Sequence, residues 1–189
     1  RRFVKMSGGG NDFLVFEADG HALSESDRER VARLCRRGVS VGADGALFLS
    51  GGESSRIHLD YFNSDGGLAS FCANGTRCAA RYAVSRRLVA GNTVVLETGW
   101  DAIDAQVHED GELVSLVLPP LLPPGEPIPI SGAGLPATGI PMHVGVPHLV
   151  VMMDGGDLSA LDVPRLGPPL RRHPLLPEVK TFEEMGVPG

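Results

Sequence analysis

Between Phe3 and Leu118 the apolar residues come in short segments stopped by glycine or polar turns, broken by two runs with helical spacing. That punctuation constrains the chain to a sheet of short strands carrying few helices. Phe3–Met6 reads as a strand broken by Ser7-Gly8-Gly9-Gly10. Asp12–Phe16 returns as a second, which leaves Asn11 where the glycine loop re-enters the sheet. Ser26-x-x-Glu29 predicts a capping box with Leu23 as a staple, opening a helix that buries Val31, Leu34 and Cys35 and closes at Arg36-Arg37-Gly38. Ala46–Leu49 reads as a buried strand and Ile57–Asn63 as a half-exposed one, followed by a Ser64–Gly67 turn. Cys78, Ala79, Tyr82 and Ala83 then fall at helical spacing within Cys72–Arg87. Val94–Thr98, Ala102–Val107 and Leu113–Leu118 predict a meander ending at Pro119-Pro120.

Prolines concentrate after Leu118, and the stretch 119–129 has the composition of a domain connection. Beyond it, Met142–Val144 and His148–Met153 read as strands around a Gly145-Val146-Pro147 turn, and Leu158–Leu166 as a weak helix. The expected fold class is α+β in two lobes, 1–118 and 119–189, without repeats or heptads. A formal charge of -6 over 189 residues argues against nucleic acid or an anionic membrane as partner. No segment approaches the ~20 apolar residues of a membrane span. Arg1–Met6 turns to glycine too soon for a secretory signal, so a cytoplasmic protein is the expectation.

The three cysteines, Cys35, Cys72 and Cys78, lack disulfide or zinc spacing. Cys35 and Cys78 sit on apolar helix faces and read as small buried hydrophobes. Cys72 precedes Ala73-Asn74-Gly75 and a helical run, which puts it at a helix N-terminus. There, free N–H groups and the positive dipole end favour a thiolate, and the amides of Ala73, Asn74 and Gly75 can hold a carboxylate. A thiolate beside a carboxylate cradle suits removal of a proton α to a carboxylate. By position alone the buried-hydrophobe and nucleophile readings of Cys72 stand level. Asn11 and Asn63 could bind other polar groups of an amino acid. His148 could tune a catalytic group or merely cap a strand. The glycine loop lacks the Gly-x4-Gly-Lys and Gly-x-Gly-x2-Gly patterns of nucleotide sites.

Taken together, Phe3-x-Lys5-Met6-x-Gly8-x-Gly10-Asn11-Asp12-Phe13, Gly42–Gly45, Phe62–Gly66, Cys72–Cys78, Gly145–His148 and Gly167-Pro168-x2-Arg171-x-His173-Pro174 resemble, in order, the diaminopimelate epimerase family. The resemblance implies two lobes of mixed sheet wrapped on a helix, with the active site in the cleft between them. It implies a homodimer that needs neither metal nor organic cofactor. Its reaction would interconvert LL- and meso-diaminopimelate for lysine and cell-wall synthesis, one cysteine removing the α-proton while a second donates to the other face. Cys72 matches the first catalytic cysteine. Asn11 and Asn63 match substrate-binding asparagines, Ala73 and Asn74 the carboxylate-binding amides, His148 a thiol-modulating histidine, and Glu183 a glutamate near the second cysteine.

Two departures stand out. Val146 replaces the family's asparagine in Gly-Asn-Pro-His, and the Ala-Cys-Gly-Thr-Gly stretch carrying the second cysteine is absent. Pro177-Glu178 runs directly into Val179–Glu183, which resembles a strand much further along the family's sequence, and Glu184 stands where arginine is expected. The expectation is that an internal stretch and the C-terminus are missing from the 189 residues, leaving the second lobe incomplete. Two other readings stay open: a related cofactor-independent amino-acid isomerase, and an inactive truncated homologue that only binds small amino acids.

Overall fold

The computed structural model describes residues 2–18, 24–51, 55–132, 135–153, 155 and 157–174. The chain divides between Pro119 and Pro120 into two compact units. The first holds β1 (Val4–Gly8), β2 (Asn11–Glu17), α1 (Glu25–Cys35), β3 (Gly45–Gly51), β4 (Arg56–Asn63), β5 (Leu68–Ala69), α2 (Ala73–Ser85), β6 (Thr93–Glu97), β7 (Ala102–Val107) and β8 (Val114–Val117). Its eight-stranded sheet runs β1-β2-β3-β4-β6-β7-β8, with β5 on β4. β2 with β3, and β4 with β6, pair in parallel; the other pairs are antiparallel. A tight turn cannot join parallel strands, so each parallel pair is spanned by a helix-bearing crossover.

The glycine loop is a two-residue hairpin turn. Gly8 pairs with Asn11, while Gly9 and Gly10 adopt φ of 60° and 92°. Positive φ at both central residues matches the twist of the flanking strands and favours glycine. β2 and β3 are apolar on both faces because each face is covered. Phe13, Val15, Leu47 and Leu49 join Ile57 and Leu59 against α2. Leu14, Phe16, Ala46, Phe48 and Phe62 join Val31 and Cys35 of α1. Fully buried Ala79, Ala80 and Ala83 let α2 approach the sheet closely, and it packs against β1 to β4 and β6 to β8, so the sheet curls round it.

The capping box of α1 is Ser24 with Asp27, not Ser26 with Glu29. Ser24 Oγ accepts from the Asp27 amide at 3.3 Å and Asp27 Oδ2 from the Ser24 amide at 3.1 Å. Ser24 has the extended backbone a cap needs (φ −75°, ψ 167°), and Ser26 falls inside the first turn. Leu23, the expected staple, lies outside the described residues.

The second unit carries a three-stranded antiparallel sheet, β11 (Val146–Val150), β10 (Thr138–Val144) and β9 (Ile128–Pro129). Gly145 turns the hairpin alone at φ 72°, so Val146 and Pro147 belong to β11 rather than to a turn. In place of a helix over Leu158–Leu166 there is a 3₁₀ turn, Leu158–Ala160, then α3 (Val163–Arg171). Asp162 accepts from the Arg165 amide and starts α3, with Pro164 in its first turn, where a missing N–H costs nothing. Ile128 and Ile130 pack with Leu149, Val151 and Leu170. Among the described residues no helix is long and apolar enough to cross a membrane.

Candidate active site

Cys72 is the N-cap of α2, with extended backbone (φ −147°, ψ 108°). Its Sγ accepts from the Gly75 amide at 3.5 Å. Its carbonyl accepts from the Thr76 amide at 2.8 Å and from Thr76 Oγ1 at 2.9 Å, and Thr76 is itself buried. The cap is thus held at sulfur and at oxygen. First-turn amides have no partner within a helix. With Gly75 committed to sulfur, the amides of Ala73 and Asn74 are left, and they meet no acceptor among the described residues. The Gly75 amide, read from the sequence as a donor to substrate, points at the Cys72 sulfur in this structure. Gly75 is also closely packed, since a Cβ there would lie 3.1 Å from the Leu47 side chain, which would have to give way.

The β1–β2 turn abuts this helix end. A Cβ on Gly8 would stand 2.8 Å from Cys78 Sγ, and one on Gly9 would collide with the Asn74 amide. Through that approach Asn74 Nδ2 donates to Gly9 O at 3.1 Å and to Asn11 Oδ1 at 3.0 Å, while Asn74 Oδ1 accepts from Arg77 Nη1 at 3.3 Å. Asn11 Nδ2 donates to Asp44 Oδ2 at 3.1 Å. The turn and the N-terminus of α2 therefore bring Asn11, Cys72 and Asn74 together. Asn63 ends β4, paired with Gly45, and its Oδ1 accepts from Tyr61 OH at 2.8 Å. That bond leaves the Asn63 NH₂ as its free face.

Behind Asn11 lies a charged lattice. Arg37 bridges Asp12 and Asp44, and Lys5 Nζ reaches Asp12 Oδ2 at 3.0 Å and Gly42 O at 2.7 Å. Asp44 Oδ2 also accepts from the Asp12 amide, and Asp12 Oδ1 from the Asp44 amide. The Arg37 guanidinium above all, helped by Lys5 and the Asp44 amide, holds the Asp12 carboxyl well below the usual carboxylate range. Burial pushes the thiols of Cys35 and Cys78 up to about 11. Burial, then the neighbouring Cys72, raises the Tyr61 phenol. Cys35 and Cys78 are the buried packing residues expected of them.

His148 lies exposed in β11, opposite Met142, in the second unit. Glu183 is outside the described residues. Asp44, Tyr61, Thr76 and Arg77 support the site; three of them lie in the quoted motifs, but none had a role read for it in the sequence. Period-2 spacing puts Tyr61 on the same face as Asn63, which was readable; the Asp44–Asn11 contact joins the loop before β3 to the start of β2 and carries no local signal. Grooves of about 360 Å³ on the outer face of β6–β8, lined by Asp104, Gln106 and Ser115 among others, and of about 200 Å³ beside α1, include none of these residues.

In known proteins the same fold recurs. A protein from Pseudomonas aeruginosa described as a predicted epimerase is 16% identical with a TM-score of 0.63, covering 88% of this chain and 67% of that one. A hydroxyproline epimerase from Agrobacterium vitis is 15% identical with a TM-score of 0.57, covering 87% and 52%. Sequence relatives are closer. The diaminopimelate epimerase of Aquifex aeolicus is 35% identical over 181 aligned positions, gaps included, the match covering 90% of this chain and 63% of that protein. That of Methanocella arvoryzae is 32% identical over 198 aligned positions, gaps included, the match covering 96% of this chain and 66% of that protein. The chain thus spans just under two thirds of the length of these relatives. The sequence pattern named diaminopimelate epimerase matches residues 3–118, the stretch that holds the hairpin, the asparagines and the Cys72 cap, and the chain belongs to the diaminopimelate epimerase family.

Proposed function

We propose that the protein epimerises LL-diaminopimelate to meso-diaminopimelate by proton exchange at the α-carbon. The observation that carries this reading is Cys72 at the N-terminus of α2, beside the unpartnered amides of Ala73 and Asn74. A substrate carboxylate seated on those amides brings its α-carbon to the sulfur. As the Cα–H bond breaks, an S–H bond forms on Cys72 and negative charge moves into the carboxylate. Amides already aimed at that charge need no reorganisation when it develops. Asn11 and Asn63 turn N–H groups toward the ligand. On the family resemblance His148 is assigned to tuning a catalytic thiol, and Glu183 to a place near the second cysteine.

The opposite face needs an acid. Cys35 and Cys78 do not serve, because both are buried and hold their protons to about 11. The reading assigns that donor to a cysteine outside these 189 residues, in an assembly of two copies working in the cytoplasm. Two measurements test it. Replacing Cys72 with serine should abolish exchange of the α-hydrogen with deuterium from solvent; exchange that persists removes the assignment. An intact mass clearly above 19.9 kDa is expected for the purified protein. A mass equal to it would leave no second thiol acid, and the two-base mechanism would be wrong.

A further inference from the structure

We infer that Asp44 is a positioning residue that sets which way the Asn11 amide faces; the inference rests on Asn11 being part of the substrate site proposed above. An asparagine amide offers two donors on one side and an acceptor on the other, and only its partners decide its orientation. The partners here are unambiguous at both ends. Gly9 O can only accept, so Asn74 turns Nδ2 toward it and spends the other N–H on Asn11 Oδ1. Asp44 Oδ2 can only accept while ionised, so Asn11 turns Nδ2 toward it. Both ends give the same answer. Asn74 has no side-chain N–H left for a ligand and shows only an oxygen already engaged by Arg77. Asn11 keeps one N–H free, and with the main-chain amides of Ala73 and Asn74 it supplies the donors around the carboxylate.

Asp44 is itself fixed. Arg37 Nη2 donates to its Oδ1 at 2.9 Å and the Asp12 amide to its Oδ2 at 3.1 Å. Arg37, well exposed, thereby acts on the ligand-facing N–H through two intervening side chains, Asp44 and Asn11. An asparagine at position 44 can present its own NH₂ to the Asn11 NH₂, so two donors face each other and the Asn11 N–H groups are pushed off their native direction, although Asn74 still holds the Asn11 oxygen.

The test uses the full chain carrying Asp44→Asn, Asn11→Ala, and both together. Three readouts are taken: side-chain amide resonances of Asn11, kcat and KM for diaminopimelate, and the alkylation rate of Cys72. The expected result is a shifted Asn11 amide pair, KM raised about tenfold with kcat changed less than about threefold, and Cys72 alkylation unchanged within about twofold. In the double variant Asp44→Asn should add nothing to the KM of Asn11→Ala. Additive effects, or an unmoved Asn11 resonance, would overturn the inference. If Asp44→Asn does not fold, Arg37→Lys leaves the carboxylate in place but removes the forked donor, and the same KM shift at reduced size is required. The amide resonances need no turnover, so they decide the positioning claim even if diaminopimelate proves not to be the substrate.

Discussion

At pH 8 a thiol with a pKa of about 11 is ionised in roughly one molecule in a thousand, and burial places Cys35 and Cys78 there. Alkylation of the native protein followed by peptide mapping should therefore label Cys72 alone of these three, with Cys35 and Cys78 reacting only in denaturant. Labelling of Cys78 at the Cys72 rate would mean the β1–β2 turn does not cover it. Asp12 gives a second test, with a definite sign. Its carboxyl is held low in the folded state, so its contribution to stability is present above an unfolded carboxylate pKa of about 4 and is lost as pH falls through the folded value. The stability difference between wild type and Asp12→Asn, from urea melts, should be constant above about pH 5 and shrink below about pH 4. A difference that grows toward acid would contradict the Arg37 and Lys5 contacts. The cysteine settings, two buried on helix faces and one at a helix N-terminus, were legible from their neighbours, since apolar helix faces and a glycine-asparagine run are local facts. The Asp12–Arg37–Asp44 lattice was not, because it is made by chain segments distant in sequence.

Elements carry the next layer. Gly9 combines a φ of 60° with a closed approach to Asn74, so Gly9→Ala incurs about 1–2 kcal/mol from backbone strain alone. It should also push Asn74 off Asn11. A lowered urea midpoint together with a weakened substrate affinity is expected; a midpoint unchanged within error would show that the turn tolerates a Cβ. Ser24→Ala should cost ~1 kcal/mol of stability and Ser26→Ala much less, which separates the observed cap from the one the sequence suggested. That misplacement has a plain cause. Ser24-x-x-Asp27 and Ser26-x-x-Glu29 both fit the capping pattern, and the choice rests on where the backbone turns from extended to helical. Most strands of the first unit were readable, β2 and β3 as apolar runs and β4 and β7 by alternation, with polar and glycine stops between them, whereas the two-residue β5 was not. The second unit was harder, because α3 contains Pro168 and Pro169, residues that normally argue against a helix interior.

For the whole molecule, the hydrophobic clusters around α1 and α2 draw only on residues before Pro119. A fragment of residues 1–119 is accordingly expected to unfold in one cooperative transition with Cys78 protected from alkylation. Noncooperative melting would tie the first unit's stability to the rest of the chain. The two parallel pairings of its sheet bear on something else, the order in which this molecule assembles. The β1–β2 hairpin and the β6–β7–β8 meander join neighbours in sequence and can form within microseconds. Phe13 must find Gly45, and Arg56 must find Val95, across long intervening segments, and such closures are slow. Cys72 begins the helix inside the second of these crossovers. In refolding followed by pulsed thiol labelling, Cys78 should stay reactive through the fast phase and gain protection only in the slowest one, so the Cys72 end of α2 is among the last parts of the first unit to exist.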